Sequence, residues 1–126
     1  MVVLDTSALL YWTLAPEQLS KPAQAAIEAA SELLISSISL WEIGVKSGKG
    51  KLELPLSLRE YCERLARVDL VKILPVDLET WLANLELPWE HKDPADRTIV
   101  ATASLRGCWL VTSDRAMAAF YARTVW

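Results

Sequence analysis

Little in this chain suits soft metals or nucleotide phosphates. It has two cysteines and one histidine in 126 residues. Cys62 and Cys108 lie far apart and no Cys-x-x-Cys occurs, so neither a zinc site nor a disulfide scaffold is expected. Both thiols are expected to be buried and reduced, as suits a cytoplasmic protein. Glycine is also scarce, at four residues, and none builds the Gly-rich loop that holds phosphates in an NTPase. Positive charge is not in excess: 13 Lys and Arg stand against 16 Asp and Glu, giving a formal charge of -3. A nucleic-acid contact would therefore need a local basic patch rather than a global field. No apolar run approaches the roughly 18 to 20 residues of a membrane span. The start, MVVLDTSALLYW, has no basic n-region, so neither a membrane partner nor a targeting segment is expected. Repeats, low-complexity tracts and long Gly/Pro/Ser linkers are missing too.

What the chain does have is apolar content, 52% of residues, enough for one core in a single domain spanning residues 1–126. Short β-branched or apolar runs fall at 2–4, 33–36, 71–76, 109–112 and 124–126. Helix-length segments at 7–14, 20–31, 39–48, 57–68, 77–86, 95–106 and 114–122 separate them, punctuated by Pro16, Pro22, Gly50, Pro55, Pro88 and Gly107. Strands alternating with helices predict an α/β fold with a mainly parallel sheet. The unbroken apolar runs Val2-Val3-Leu4 and Trp109-Leu110-Val111 suit central strands covered on both faces. Trp41, Trp81 and Trp109 fall in apolar runs and are expected in the core, whereas Trp12 and Trp89 suit an interface or groove.

Four acids recur where strands end and helices begin. Asp5 follows the first strand, Glu42 lies in the third helix, Asp96 opens the sixth and Asp114 follows the fourth strand. Each has a plain structural reading. Asp is a favoured N-cap, and negative charge near a helix start gains roughly 0.3 to 1 kcal/mol from the dipole. Asp93-Pro94-Ala95-Asp96 has the N-cap, proline and acid of a helix start, and Ser39-Leu40-Trp41-Glu42 has capping-box spacing. Two of the four resist that reading. Asp96 shares the stripe of Ile99, Val100 and Ala103 that should face the sheet, and Glu42 is the lone acid in Leu40-Trp41-Glu42-Ile43-Gly44-Val45. A buried carboxylate needs a partner.

A parallel sheet gathers its strand ends on one crevice, so Asp5 and Asp114 can meet there with Glu42 and Asp96. Two carboxylates about 4 Å apart repel by roughly 4 kcal/mol at an effective dielectric near 20. A divalent cation resolves that repulsion, and oxygen-only ligands select Mg²⁺ or Mn²⁺, which favour phosphate substrates.

Four blocks carry a family likeness: Asp5-Thr6-Ser7-Ala8-Leu9-Leu10, Ser36-Ser37-Ile38-Ser39-Leu40-Trp41-Glu42-Ile43, His91-Lys92-Asp93-Pro94-Ala95-Asp96-Arg97 and Leu110-Val111-Thr112-Ser113-Asp114. In these blocks, kept in order across nearly the whole length, the chain resembles a PIN-domain ribonuclease of the VapC toxin type. The resemblance implies a three-layer α/β/α sandwich and a Mg²⁺ or Mn²⁺ site of Asp5, Glu42, Asp96 and Asp114. It also implies cleavage of RNA phosphodiesters by a metal-activated water, leaving 3′-hydroxyl and 5′-phosphate ends. A cognate antitoxin and a homodimer are its implied partners. It makes Asp96 the ligand of the Asp93/Asp96 pair and Asp93 a supporting residue. Ala95 departs from the aromatic residue that many relatives carry there, which removes packing and no ligand.

Around the acids, Ser7, Thr112 and Ser113, and less directly Thr6, would orient carboxylates or bound waters, or else cap helices. Lys46 would pair with Glu42 one turn away or meet a phosphate. Lys46, Lys49 and Lys51, with Arg97 and Arg115, form the best basic patch for an RNA backbone, or else a solvated helix end. His91 is expected to make a structural hydrogen bond and is left out of the catalytic set. Two competing functions stay open: a different phosphoryl-transfer enzyme, and a catalytically silent PIN-like module that binds a partner protein. An aspartyl-phosphate phosphatase would want a second Asp two residues after the first, where this chain has Ser7.

Overall fold

The computed structural model describes residues 1–126. Its elements run β1 (Val2–Leu4), α1 (Thr6–Leu14), a 3₁₀ turn (Pro16–Gln18), α2 (Lys21–Ala29), β2 (Leu33–Ser36), α3 (Ser37–Gly48) and α4 (Leu58–Ala66). Then follow β3 (Val71–Leu74), α5 (Leu78–Glu86), α6 (Pro94–Arg106), β4 (Trp109–Val111), α7 (Arg115–Phe120) and β5 (Thr124–Val125). Every expected strand and helix is present, with small shifts at the ends; β3 stops at Leu74 because Pro75 follows it.

Local chemistry explains the helix starts. Each α-helix opens on a Ser or Asp, namely Asp5, Ser20, Ser36, Ser57, Asp77, Asp93 or Asp114, whose side chain accepts a first-turn backbone N–H. At the other end of α6, Gly107 takes the left-handed conformation (φ 61°) that closes the helix and turns the chain into β4.

The strands form one wholly parallel sheet in the order β3-β2-β1-β4-β5. Strand alternation divides the core into two layers. Val2, Leu4, Leu33, Ile35 and Val111 face a layer with Ala8 and Leu9 of α1, Ile27 of α2, Ile43 of α3 and Leu65 of α4. Val3, Leu34 and Leu110 face the other layer, with Ile99, Val100 and Ala103 of α6 and Met117 of α7. Helix α5 packs outside α6, so the architecture is a three-layer α/β/α sandwich. The chain builds outward from β1 through β2 to β3, then returns across β1 to β4. The strand order therefore reverses between β1 and β4, and the crevice for a ligand opens above their C-terminal ends.

Three tryptophans overturn the core expectation. Trp41, Trp81 and Trp109 are 61%, 41% and 50% exposed. Buried Ser39 and Ile43 define the inward side of α3, and Trp41, midway between them in sequence, points the other way. Thr80 and Asn84 do the same for α5, leaving Trp81 outside. Trp109 begins β4, where its face is uncovered. Both cysteines are free thiols, Cys108 buried and Cys62 only half-buried. No helix is long and apolar enough to cross a membrane.

Candidate metal centre

Asp5 is the residue at which β1 gives way to α1. One of its carboxylate oxygens, Oδ1, accepts the N–H of Ala8 at 2.8 Å, capping the helix. The other, Oδ2, accepts the hydroxyl of Thr112, the residue after β4. Thr112 is buried, and its oxygen also accepts the N–H of Asp114 at 3.0 Å. Asp114 in turn caps α7 by accepting the N–H of Met117 at 2.9 Å. One hydroxyl thus ties together the ends of the two strands that flank the reversal point. The capping and ligand readings are compatible: Asp114 caps through Oδ1 alone, and each Asp5 oxygen accepts one hydrogen bond and keeps a second lone pair.

Asp96 and Glu42 come from helix faces. Asp93 caps α6 through the N–H of Asp96 at 3.0 Å. Asp96 sits one turn before buried Ile99 and Val100, on the sheet-facing stripe as expected. Glu42 differs from expectation. Helix α3 starts at Ser37 with Ser36 as its cap, so the capping box at Ser39 does not form and Glu42 lies in the second turn. Its partner is Lys46, with Nζ 3.3 Å from Oε2.

All four acids reach one cavity of roughly 250 Å³, lined by Asp5, Thr6, Ser7, Glu42, Lys46, Asp93, Asp96, Ser113 and Asp114, without a single apolar side chain. Burial pushes the Asp5 carboxyl up to about 6, against the lowering effect of its Thr112 and Ala8 donors, and the charges of Asp96 and Asp114 raise it further. Burial also raises Asp96; the His91 hydrogen bond opposes that rise, and the charges of Asp93 and Asp114 add to it. Such mutual repulsion among oxygen donors fits a hard divalent cation. No three acidic, histidine or cysteine side chains stand close enough together to hold an ion between them. An open arrangement suits Mg²⁺, which retains several waters and takes only one or two carboxylates directly.

The other expected residues separate clearly. Ser7 and Ser113 are exposed at the cavity rim, and Thr6 is buried with its hydroxyl donating to Ser39 at 3.0 Å, joining α1 to α3. Lys46 is the one basic residue on the cavity wall. Lys49, Lys51 and Arg115 are exposed outside that wall. Arg97 departs from its expected place in an RNA patch. Its guanidinium donates to the carbonyls of Asn84, Leu87, Trp89 and His91, so its donors are spent on the loop before α6. His91 reaches the site more directly than expected, with Nε2 2.8 Å from Asp96 Oδ2. The signal that could have found it is its place five residues before Asp96, on a loop that must turn back over the helix start.

Comparison with known proteins gives a consistent set of relatives. The PIN domain family profile matches residues 2–122. Ribonuclease VapC22 of Mycobacterium tuberculosis (strain ATCC 25618 / H37Rv) is 37% identical over 116 residues, which cover 90% of this chain and 87% of that protein. Among solved structures, a toxin-antitoxin complex from Klebsiella pneumoniae superposes with a TM-score of 0.69 at 22% identity, covering 100% of this chain and 97% of that one. FitAcB from Neisseria gonorrhoeae gives 0.68 at 20% identity, covering 98% and 95%. The two structural likenesses show a shared fold.

Proposed function

This chain belongs to the PIN-domain family and is of the VapC type, and from that premise we propose that it is a Mg²⁺- or Mn²⁺-dependent endoribonuclease, the toxin of a toxin–antitoxin pair. The observation that carries the reading is the convergence of Asp5, Glu42, Asp96 and Asp114 on one cavity without apolar lining. A bound cation supplies Lewis-acid polarisation of the phosphate and a water acidic enough to attack in line.

The chain's own residues do the rest. Thr112 and the N–H of Ala8 hold both oxygens of Asp5 in one orientation, so that carboxylate meets a cation without reorganising. Asp114 and Asp96 add charge from α7 and α6, and Asp93 fixes the first turn that carries Asp96. Glu42 is tethered at its tip only by Lys46, and Lys46 is half exposed, free to leave Glu42 for a phosphate oxygen of the RNA. Ser7 and Ser113 offer hydroxyls at the rim to bound waters or the substrate backbone.

The chain's similarity to a ribonuclease and to a toxin-antitoxin complex supports the substrate and the antitoxin partner. A homodimer belongs to the same reading: exposed Leu78, Trp81, Leu82 and Leu85 of α5, beside Trp41 of α3, offer the apolar surface a second copy would cover. Analytical ultracentrifugation of the wild type and Trp81→Lys checks it. The activity is tested with purified protein, stripped of any bound partner, on a fluorogenic RNA. Cleavage should need Mg²⁺ or Mn²⁺, stop with EDTA and disappear in Asp96→Asn. Cleavage by Asp96→Asn at the wild-type rate would overturn the assignment.

A further inference from the structure

We infer that His91 is a positioning residue for Asp96, held in place by a built loop so that one carboxylate oxygen is committed and the other is left for a cation. The inference rests on the reading of Asp96 as an ion ligand. The segment between α5 and α6, Leu87 to Asp93, has no regular structure and contains Pro88. Such a stretch would sample many conformations if nothing held it.

Two devices hold it. Arg97, from the first turns of α6, reaches back under the loop and donates to the Trp89 carbonyl and, at 3.0 Å, to the His91 carbonyl. Its other terminal nitrogen, Nη2, donates to the carbonyls of Asn84 at 2.6 Å and Leu87 at 3.3 Å, and Nε donates to Asn84 Oδ1 at 3.3 Å, which anchors the same loop to the end of α5. The second device is aromatic. The Trp89 ring stacks on Phe120 of α7 at 4.8 Å and 11°, and on the His91 ring at 4.6 Å and 23°. The imidazole is thus fixed through its own carbonyl and its own face before Asp96 is considered.

Its Nε2 then lies 2.8 Å from Asp96 Oδ2. An ionised carboxylate only accepts, so Nε2 carries the hydrogen and donates. Burial does not demand this bond, since the two side chains are 29% and 22% exposed and water could serve either. The loop is already fastened by Arg97 and Trp89, so the bond's distinct effect falls on Asp96. It fixes the rotation of the carboxylate about its last torsion, with Oδ2 turned to the loop. Asp93 holds the backbone N–H of the same residue. Ligands oriented by such outer partners typically lose roughly 10- to 100-fold in metal affinity when the partner is removed.

The test uses the full chain and Mn²⁺ as the probe, with affinity read by calorimetry and by electron paramagnetic resonance of free Mn²⁺. His91→Phe keeps a ring to stack on Trp89 but has no donor. His91→Gln keeps an amide donor near the position of Nε2 but has no stack. His91→Phe should bind Mn²⁺ roughly 10- to 100-fold more weakly, with its melting point in EDTA within about 2 °C of the wild type. Its KM for RNA at saturating Mn²⁺ should not change. His91→Gln should recover a measurable part of the lost affinity. Wild-type Mn²⁺ affinity in His91→Phe overturns the proposal, as does a loss that His91→Gln fails to rescue or that tracks a fall in melting point. Asp96→Asn separates the two layers of the argument. If it binds Mn²⁺ like the wild type, the ligand reading fails and the proposal falls with it; if it loses the ion while His91→Phe does not, only the positioning role fails.

Discussion

Asp5 and Glu42 present carboxylates to the same cavity and are held in opposite ways. Asp5 stands at a strand end, 5% exposed, with its two oxygens taken by Ala8 and Thr112. Glu42 stands in the second turn of a helix with only Lys46 as a partner. The first is an immobile carboxylate whose charge is costly to bury; the second is an adjustable one whose partner can be exchanged. A fixed carboxylate should therefore cost stability in proportion to its charge, while an adjustable one should cost little.

The largest effects fall on Asp5. Its carboxyl titrates at about 6 instead of 3.8, which corresponds to about 3 kcal/mol at roughly 1.4 kcal/mol per tenfold change in proton affinity. The sign follows from the direction of the change. A carboxyl raised on folding contributes stability below about pH 4, and that contribution is lost as the pH rises through about 6. Asp5→Asn, which keeps the amide oxygen for Ala8, should abolish Mg²⁺-dependent cleavage while raising metal-free stability at pH 7.5 by up to about 3 kcal/mol. At pH 3.5 the gain should vanish. Urea unfolding of both proteins at the two pH values checks this, and equal stability at pH 7.5 would mean that Asp5 is not held as a costly charge. Added Mg²⁺ should stabilise the wild type at pH 7.5 and leave Asp5→Asn unmoved.

Thr112→Val tests the clamp itself. It removes the donor to Asp5 and the acceptor for the Asp114 N–H together. Losing a partner of a buried polar group costs about 1 to 3 kcal/mol, so the variant should unfold at lower urea at pH 7.5. In the Asp5→Asn background the same change should cost less, because the clamped charge is gone; a full cost in both backgrounds would place the effect of Thr112 in packing alone.

Much of this arrangement was legible in the sequence, for identifiable reasons. Val2-Val3-Leu4 and Leu110-Val111 are apolar on both faces because both faces are covered, and each leads within three residues to an acid that also caps a helix. Asp96 could be told from Asp93 by its place on the α6 stripe. The misses have separate causes. Starting α3 at Ser37 moved Glu42 out of the first turn, while Trp41, Trp81 and Trp109 lie on faces that the core does not cover. Arg97 looked like a free cation because nothing local shows that the carbonyls of residues 84–91 curl around it. Loop closure of that kind is a tertiary fact.

Glu42→Gln is the smallest and most discriminating change. Gln keeps the length and an oxygen acceptor while removing the charge, and the ion pair it breaks joins partners whose side chains are 15% and 50% exposed. A helix-surface pair of this spacing contributes about 0.3 to 0.5 kcal/mol, so metal-free stability at pH 7.5 should move by less than about 0.5 kcal/mol. Cation affinity should fall because a neutral amide is a poorer ligand for a hard ion. Asp5→Asn also weakens the ion while raising stability, so the two carboxylates are separated by their stability responses and joined by their ion responses. A stability gain in Glu42→Gln as large as that in Asp5→Asn would place both charges under the same constraint and remove the distinction between a clamped ligand and an adjustable one.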